Sequence, residues 1–188
     1  MANNGDNRPA DEGERILEVD ETIEHLHADV DREVAEISDR LGERITCRLG
    51  CSDCCVDGLT VFEVEAERIR RETGRRLAGA EPHADGACAF LDGAGGCRIY
   101  ESRPYVCRTQ GLPLRWLDEQ DGEVVEYRDI CPLNDRGEPI EAIVPSDCWS
   151  IGPAEMRLVQ IQRAYVGDRV DRVALRSLFD ELARNMSE

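Results

Sequence analysis

The sequence contains no lysine: all 23 basic residues are arginine, set against 40 acidic ones, for a formal net charge of −17. So large an acidic excess repels phosphate backbones and anionic lipid surfaces, so neither nucleic acid nor a membrane surface is an expected partner. Aromatics are scarce at 5%, and the hydrophobic fraction, cysteine included, is 41% of 188 residues. A core this modest often needs a staple. No apolar run approaches the roughly 20 residues of a membrane span. Only three histidines are present, so general bases are few and no catalytic residue is assigned. No glycine-rich dinucleotide loop occurs; Gly93, Gly95 and Gly96 fit a hairpin turn. Met1–Arg15 is polar and acidic, without the basic and apolar regions of an export signal, so the chain is expected in the cytoplasm.

What the chain does have is cysteine, nine in all. Cys47, Cys51, Cys54 and Cys55 form the pattern C-x3-C-x2-C-C, and Cys88, Cys97 and Cys107 follow. The odd count leaves one thiol over in any full pairing, and adjacent Cys54 and Cys55 poorly suit disulfide geometry. In a reducing compartment such a cluster reads as a metal or redox site. Zinc takes four thiolates at about 2.3 Å, and cubane clusters likewise take four cysteines. If a helix ran through the motif, Cys47, Cys51 and Cys54 would share a face, with Cys55 about 100° away. If the helix stops at Gly50, Cys51 and Cys54 form a C-x2-C turn. Either way the adjacent pair is hard to close on one ion, which leaves two readings: two sites, or one cluster with spare thiols. Arg44, Arg48, Arg98, Arg103 and Arg108 flank the cysteines and are the natural donors to sulfur; Arg98, Arg103 and Arg108 are expected to contact the cofactor.

The fold is expected to be mainly α with small β-hairpins, an α+β chain whose metal-stapled cysteine-rich centre packs on a long N-terminal helix and C-terminal helices. Residues 1–10 are expected to be disordered and 11–186 to form one domain, with 47–134 as the metal-binding core. Ile16, Val19, Ile23, Leu26, Val30, Val34, Ile37, Leu41 and Ile45 recur every three or four residues, which predicts a helix from Asp11 to Thr46. Its narrow stripe needs a cover, either this chain's own C-terminal helices or a protein partner. His25 and His27 read as surface or seam residues rather than ligands. Thr60 and Glu63 have capping-box spacing for a second helix ending at Thr73-Gly74. Hairpins are predicted at 87–100 and 112–128, the second turning over Asp118–Gly122, and a short turn is expected at Ser102–Cys107, with Pro104 in its first helical turn. Residues 132–147 read as loop. Helices follow from Pro153 to a break at Gly167, and from about Asp171.

C-x3-C-x2-C is also the cluster motif of radical enzymes that use S-adenosylmethionine, but those resemble β/α barrels, and no such alternation exists here. The ordered set of residues is similar to another family. Cys47, Cys51, Cys54 and Cys55, Cys88 with Phe90-Leu91, Cys97-Arg98-Ile99-Tyr100, Arg103-Pro104 and Cys107-Arg108 resemble the YkgJ-type cysteine-cluster proteins, described as zinc- or iron-chelating and sometimes as iron–sulfur proteins. Gly111-Leu112-Pro113-Leu114 and Cys131-Pro132-Leu133-Asn134 resemble its longer members, which adds Cys131 to the expected ligands; Cys148 has no counterpart. The resemblance implies metal ions as partners and a zinc or iron–sulfur cofactor, such as a 4Fe-4S cluster. A similar cysteine domain in flagellin lysine methylases, where an iron–sulfur cluster is implicated, favours the cluster. The implied role is electron transfer, metal handling or structure. The alternatives are an iron–sulfur redox or methyl-transfer accessory enzyme, and a helical interaction module with a structural zinc.

Overall fold

The computed structural model describes residues 12–48 and 50–184; the expected disordered stretch 1–10 and the last residues of the expected domain lie outside them. The described residues form an α+β structure with five helices, a two-stranded sheet and a three-stranded sheet. Helix α1, Glu12–Leu41, buries Val19, Ile23, Leu26, Val30 and Ile37 along its apolar stripe. The side chain of Ile16 lies outside the described residues. The helix stops five residues before the predicted Thr46. Gly42 adopts φ +53, the left-handed conformation that ends helices, and a single 3-10 turn, Gly42–Arg44, follows.

Two local predictions fail for one reason. Thr60–Phe62 is a strand, β1, rather than a capped helix start, and α2 runs Glu63–Leu77. Near the C-terminus, Arg172–Ala174 is a strand, β5, and the last helix, α5, is Leu175–Arg184. β1 and β5 pair antiparallel, with Val61 opposite Val173. Each strand exists because the other covers its backbone groups, and a local capping pattern carries no trace of so distant a partner. α2 also runs past Thr73-Gly74. Thr73 is buried with its hydroxyl donating to the Ile69 carbonyl at 2.6 Å, and Leu182 of α5 packs near Gly74.

Pro104 precedes the single-turn helix α3, Tyr105–Arg108. The hairpin of β2, Leu114–Gln120, and β3, Glu123–Asp129, forms as predicted, but its turn narrows to Asp121-Gly122. Both turn residues have positive φ, +54 and +83, as a two-residue type I′ turn requires. Trp116 and Tyr127 stack across it at 5.6 Å. A short strand, β4, Trp149–Ser150, pairs parallel to β2. The hairpin predicted at 87–100 turns back on itself without regular strands, through a Leu91–Cys97 bridge and a 2.9 Å bond from Arg98 N–H to the Phe90 carbonyl. Helix α4, Pro153–Val166, starts and stops where Pro153 and Gly167 predict.

Packing joins α1 chiefly to α4, and α5 to α2. Of the C-terminal helices, then, α4 is the main cover of α1. Two apolar clusters result. One holds the α1 stripe with Tyr105, Leu112, Trp149 and Leu158; the other holds Val61, Ile69, Phe90, Leu178, Phe179 and Leu182. No described helix is long and apolar enough to cross a membrane.

Candidate metal centre

Between the two clusters lies a cavity of about 490 Å³ whose walls carry Cys47, Cys51, Cys54, Cys55, Cys88, Cys97 and Cys107. Its apolar lining comes from both clusters, with Val34, Ile45 and Leu112 on one side and Phe90, Ile99 and Leu175 on the other. Three separate pieces of chain bring the sulfurs there, and each is held by identifiable bonds.

The first piece follows α1. Its turns close through Cys51 N–H to the Arg48 carbonyl and Cys55 N–H to the Ser52 carbonyl, both 2.9 Å. Asn134, fully buried, anchors its start. The Asn134 Oδ1 accepts from Thr46 N–H (2.9 Å) and the Thr46 hydroxyl (2.7 Å), while Nδ2 donates to the Gly111 carbonyl (2.8 Å) and the Cys47 sulfur (3.3 Å). Gly111, at φ +96, is the close neighbour of that sulfur; a Cβ built there would overlap it. The second piece carries Cys88, whose N–H donates to the Cys55 carbonyl at 2.9 Å. Arg176 of α5 clamps this junction, bonding Asp57 and the carbonyls of His83 and Ala87. The same piece, the 87–100 turn, also carries Cys97, folded back by the Leu91–Cys97 bridge. The third is α3 with Cys107.

Buried polar groups seat α3. Glu65 of α2 accepts from Tyr105 N–H at 2.7 Å and lies 3.3 Å from His27 Nε2. The Tyr105 hydroxyl donates to Glu155 and accepts from Trp149 Nε1. Arg108 spends its guanidinium on Asp31 (2.5 Å) and the carbonyls of Arg103 and Glu101. His27 is thus a seam residue and His25 an exposed one. Burial holds the His27 imidazole below its ordinary value of 6.5, against the raising effect of the Glu65 hydrogen bond; Arg108 and Arg68 add to the lowering. The folded state therefore binds fewer protons than the unfolded state as pH falls below 6.5, and stability declines there. Urea titrations at pH 7.5 and 5.5 should show this loss, and His27→Gln should make it smaller; an unchanged pH dependence in the variant would remove His27 as its source.

The two remaining cysteines differ. Cys131 is not among the cavity-lining residues, yet its charge acts on Cys47, and Asn134 N–H donates to its carbonyl at 2.8 Å. Cys148 is buried apart from the cavity, its thiol 3.8 Å from the Val144 carbonyl. All nine cysteines are free thiols. Of the arginines, Arg48, Arg103 and Arg108 line the cavity. Arg98 donates to the Glu81 carbonyl and lies over the Phe179 ring, and Arg44 is spent on the carbonyls of Asn134 and Glu138.

Burial pushes the thiols of Cys47, Cys88, Cys97 and Cys107 up from their ordinary value. The Cys55 thiol donates to the Cys54 sulfur, which lowers Cys54 and raises Cys55. The raised thiols ionise readily only beside a cation, so metal affinity and proton release are tied here. The donor chemistry fits a thiolate-bound metal, and the Arg103 Nε is a buried donor without a partner beside the thiols. Among the described residues, however, no three Cys, His, Asp or Glu side chains converge closely enough to hold one ion. The sulfurs ring a space rather than a point.

Glu65, Asp57, Arg176 and Gly111 were not marked as site residues by sequence reasoning. The three charged ones look like ordinary solvated positions, and only tertiary pairing distinguishes them; a Gly immediately before Leu-Pro was the one visible signal. Residues 46–132 match the model of the CxxCxxCC family, described as "Putative zinc- or iron-chelating domain". No curated protein and no solved structure matches the chain.

Proposed function

Taking as premise that residues 46–132 carry a CxxCxxCC domain, we propose that the protein binds an iron–sulfur cluster through its cavity-lining thiolates. The observation that carries this reading is seven cysteines around one cavity of about 490 Å³. A single zinc ion needs four sulfurs drawn to about 2.3 Å from one point. A polynuclear cluster places each thiolate on a different iron, so its sulfurs stand farther apart around a larger body. The open ring of thiols suits the second arrangement. The cluster, when bound, supplies a one-electron redox centre. The chain's own residues do the rest: Asn134 and Arg103 offer N–H donors to sulfur, Arg48 offsets negative charge, and the apolar walls exclude water.

The test is an absorption spectrum with iron, zinc and sulfide analysis on protein purified without oxygen. A brown protein with matched iron and sulfide supports the reading. A colourless protein with stoichiometric zinc replaces it with the zinc alternative, and a protein with neither ends both. Cys51→Ser and Cys54→Ser should each lose metal, whereas Cys148→Ser should keep it; full metal content in the first two variants would show those assignments to be wrong.

A further inference from the structure

Two arginines beside the thiols share one carboxylate and use it differently. Asp31 of α1 accepts from Arg108 Nη1 through Oδ2 at 2.5 Å, a charge-assisted hydrogen bond, whereas its Oδ1 stands 3.5 Å from Arg103 Nη2. At that distance the second contact is an ion pair rather than a hydrogen bond. Asp31 Oδ1 and Arg103 Nε are both buried, and among the described residues neither has a hydrogen-bond partner. The other hold on Arg103 is the Tyr100 ring, whose centroid lies 4.2 Å from Cζ. Arg103 and Tyr100 both line the cysteine cavity. The Arg103 cation is thus placed by a charge and a ring face, with its Nε–H left over. Arg108 has no such reserve: its three nitrogens bond Asp31 and the carbonyls of Arg103 and Glu101.

Asp31 carries the wrong sign of charge for a neighbour of thiolates. Four thiolates on a dication leave a net charge of about −2, and a carboxylate nearby repels it. Its use is indirect. Two guanidiniums drawn to one carboxylate stay together on that face of α1, and without it they repel each other. We propose that Asp31 is a positioning residue for the metal centre: it keeps the Arg103 guanidinium over Tyr100 at the cavity wall, where that cation offsets thiolate charge. This rests on the metal-binding reading above. Asp31 lies on α1, outside the matched residues 46–132. The long helix therefore takes part in the electrostatics of the site as well as in its scaffold.

The experiment measures Zn²⁺ affinity by chelator competition in the full-length protein, for the wild type, Asp31→Asn, Arg103→Gln and the double variant. Asparagine keeps an acceptor for Arg108 and loses the charge. By charge alone, removing an acid beside an anionic site tightens Zn²⁺ binding. Acting through Arg103, Asp31→Asn weakens it instead, by about 10–100-fold, the usual cost of losing a partner outside the ligand set. Arg103→Gln should do the same, and the double variant should be no weaker than Arg103→Gln alone. Tighter or unchanged binding in Asp31→Asn overturns the proposal. So does unchanged binding in Arg103→Gln, or a double variant in which the two losses multiply, the mark of independent damage to the fold. If Asp31→Asn does not fold, Asp31→Ser takes its place in the same comparison. A wild type that takes up no Zn²⁺ also overturns the proposal, while the iron–sulfur reading stands or falls on its own iron and sulfide analysis.

Discussion

Asn134→Ala is expected to destabilise the protein by about 2–4 kcal/mol, because it strips partners from buried backbone groups at about 1–3 kcal/mol each. Asn134 is 0% exposed, and its amide ties its own segment to two others: Thr46-Cys47 at the first cysteine and Gly111 after α3. Removing it frees the Gly111 carbonyl and the Thr46 N–H without offering water a way in. A urea midpoint measured on metal-free protein isolates this term from metal binding. Asn134→Asp separates the two halves of the role. The carboxylate still accepts from Thr46 but sets a negative charge against the Gly111 carbonyl and the Cys47 sulfur. It should therefore lose more metal than the alanine variant. If both variants match the wild type in stability and metal content, Asn134 is a bystander.

Metal removal should have the largest effect of all. In small domains with no other core, thiolate-bound structural metal contributes apparent binding free energies of about 10–16 kcal/mol; here α1 and α4 keep an apolar core of their own, so the loss falls on the cysteine loops. Sulfurs from three separate chain pieces would be released together, and most are pushed toward the protonated state by burial. Amide exchange should speed up across the cysteine loops and the 87–100 turn. Protection should persist in α1 and α4, whose contact rests on Ile23, Leu26, Val30, Leu158 and Ile161 rather than on sulfur. Equal exchange in the loops before and after chelation would mean that the metal, if bound, does not order them.

Much of the scaffold was legible because it rests on local periodicity or on single residues with strong backbone preferences. The α1 stripe, the Pro153-to-Gly167 helix and the Asp121-Gly122 turn belong to this class. The β1–β5 pair does not. Its two three-residue strands are separated by most of the chain, and each mimics the start of the helix that follows it. The gathering of seven cysteines was legible from their density and order. Their seating was not, because Glu65, Asp57 and Arg176 stand among many other acids and arginines, and only pairing with a distant partner tells them apart. The α1 stripe illustrates the same limit: its need for a cover was plain, but that α4 rather than α5 is its main cover depends on where the β1–β5 pair sends the chain.

X-ray absorption at the metal edge of the anaerobically purified protein reads the ligand atoms themselves. Thiolate binding predicts a first shell of sulfur, at about 2.3 Å if the metal is zinc, and a second iron shell if the metal is a cluster. A first shell dominated by nitrogen or oxygen would contradict it.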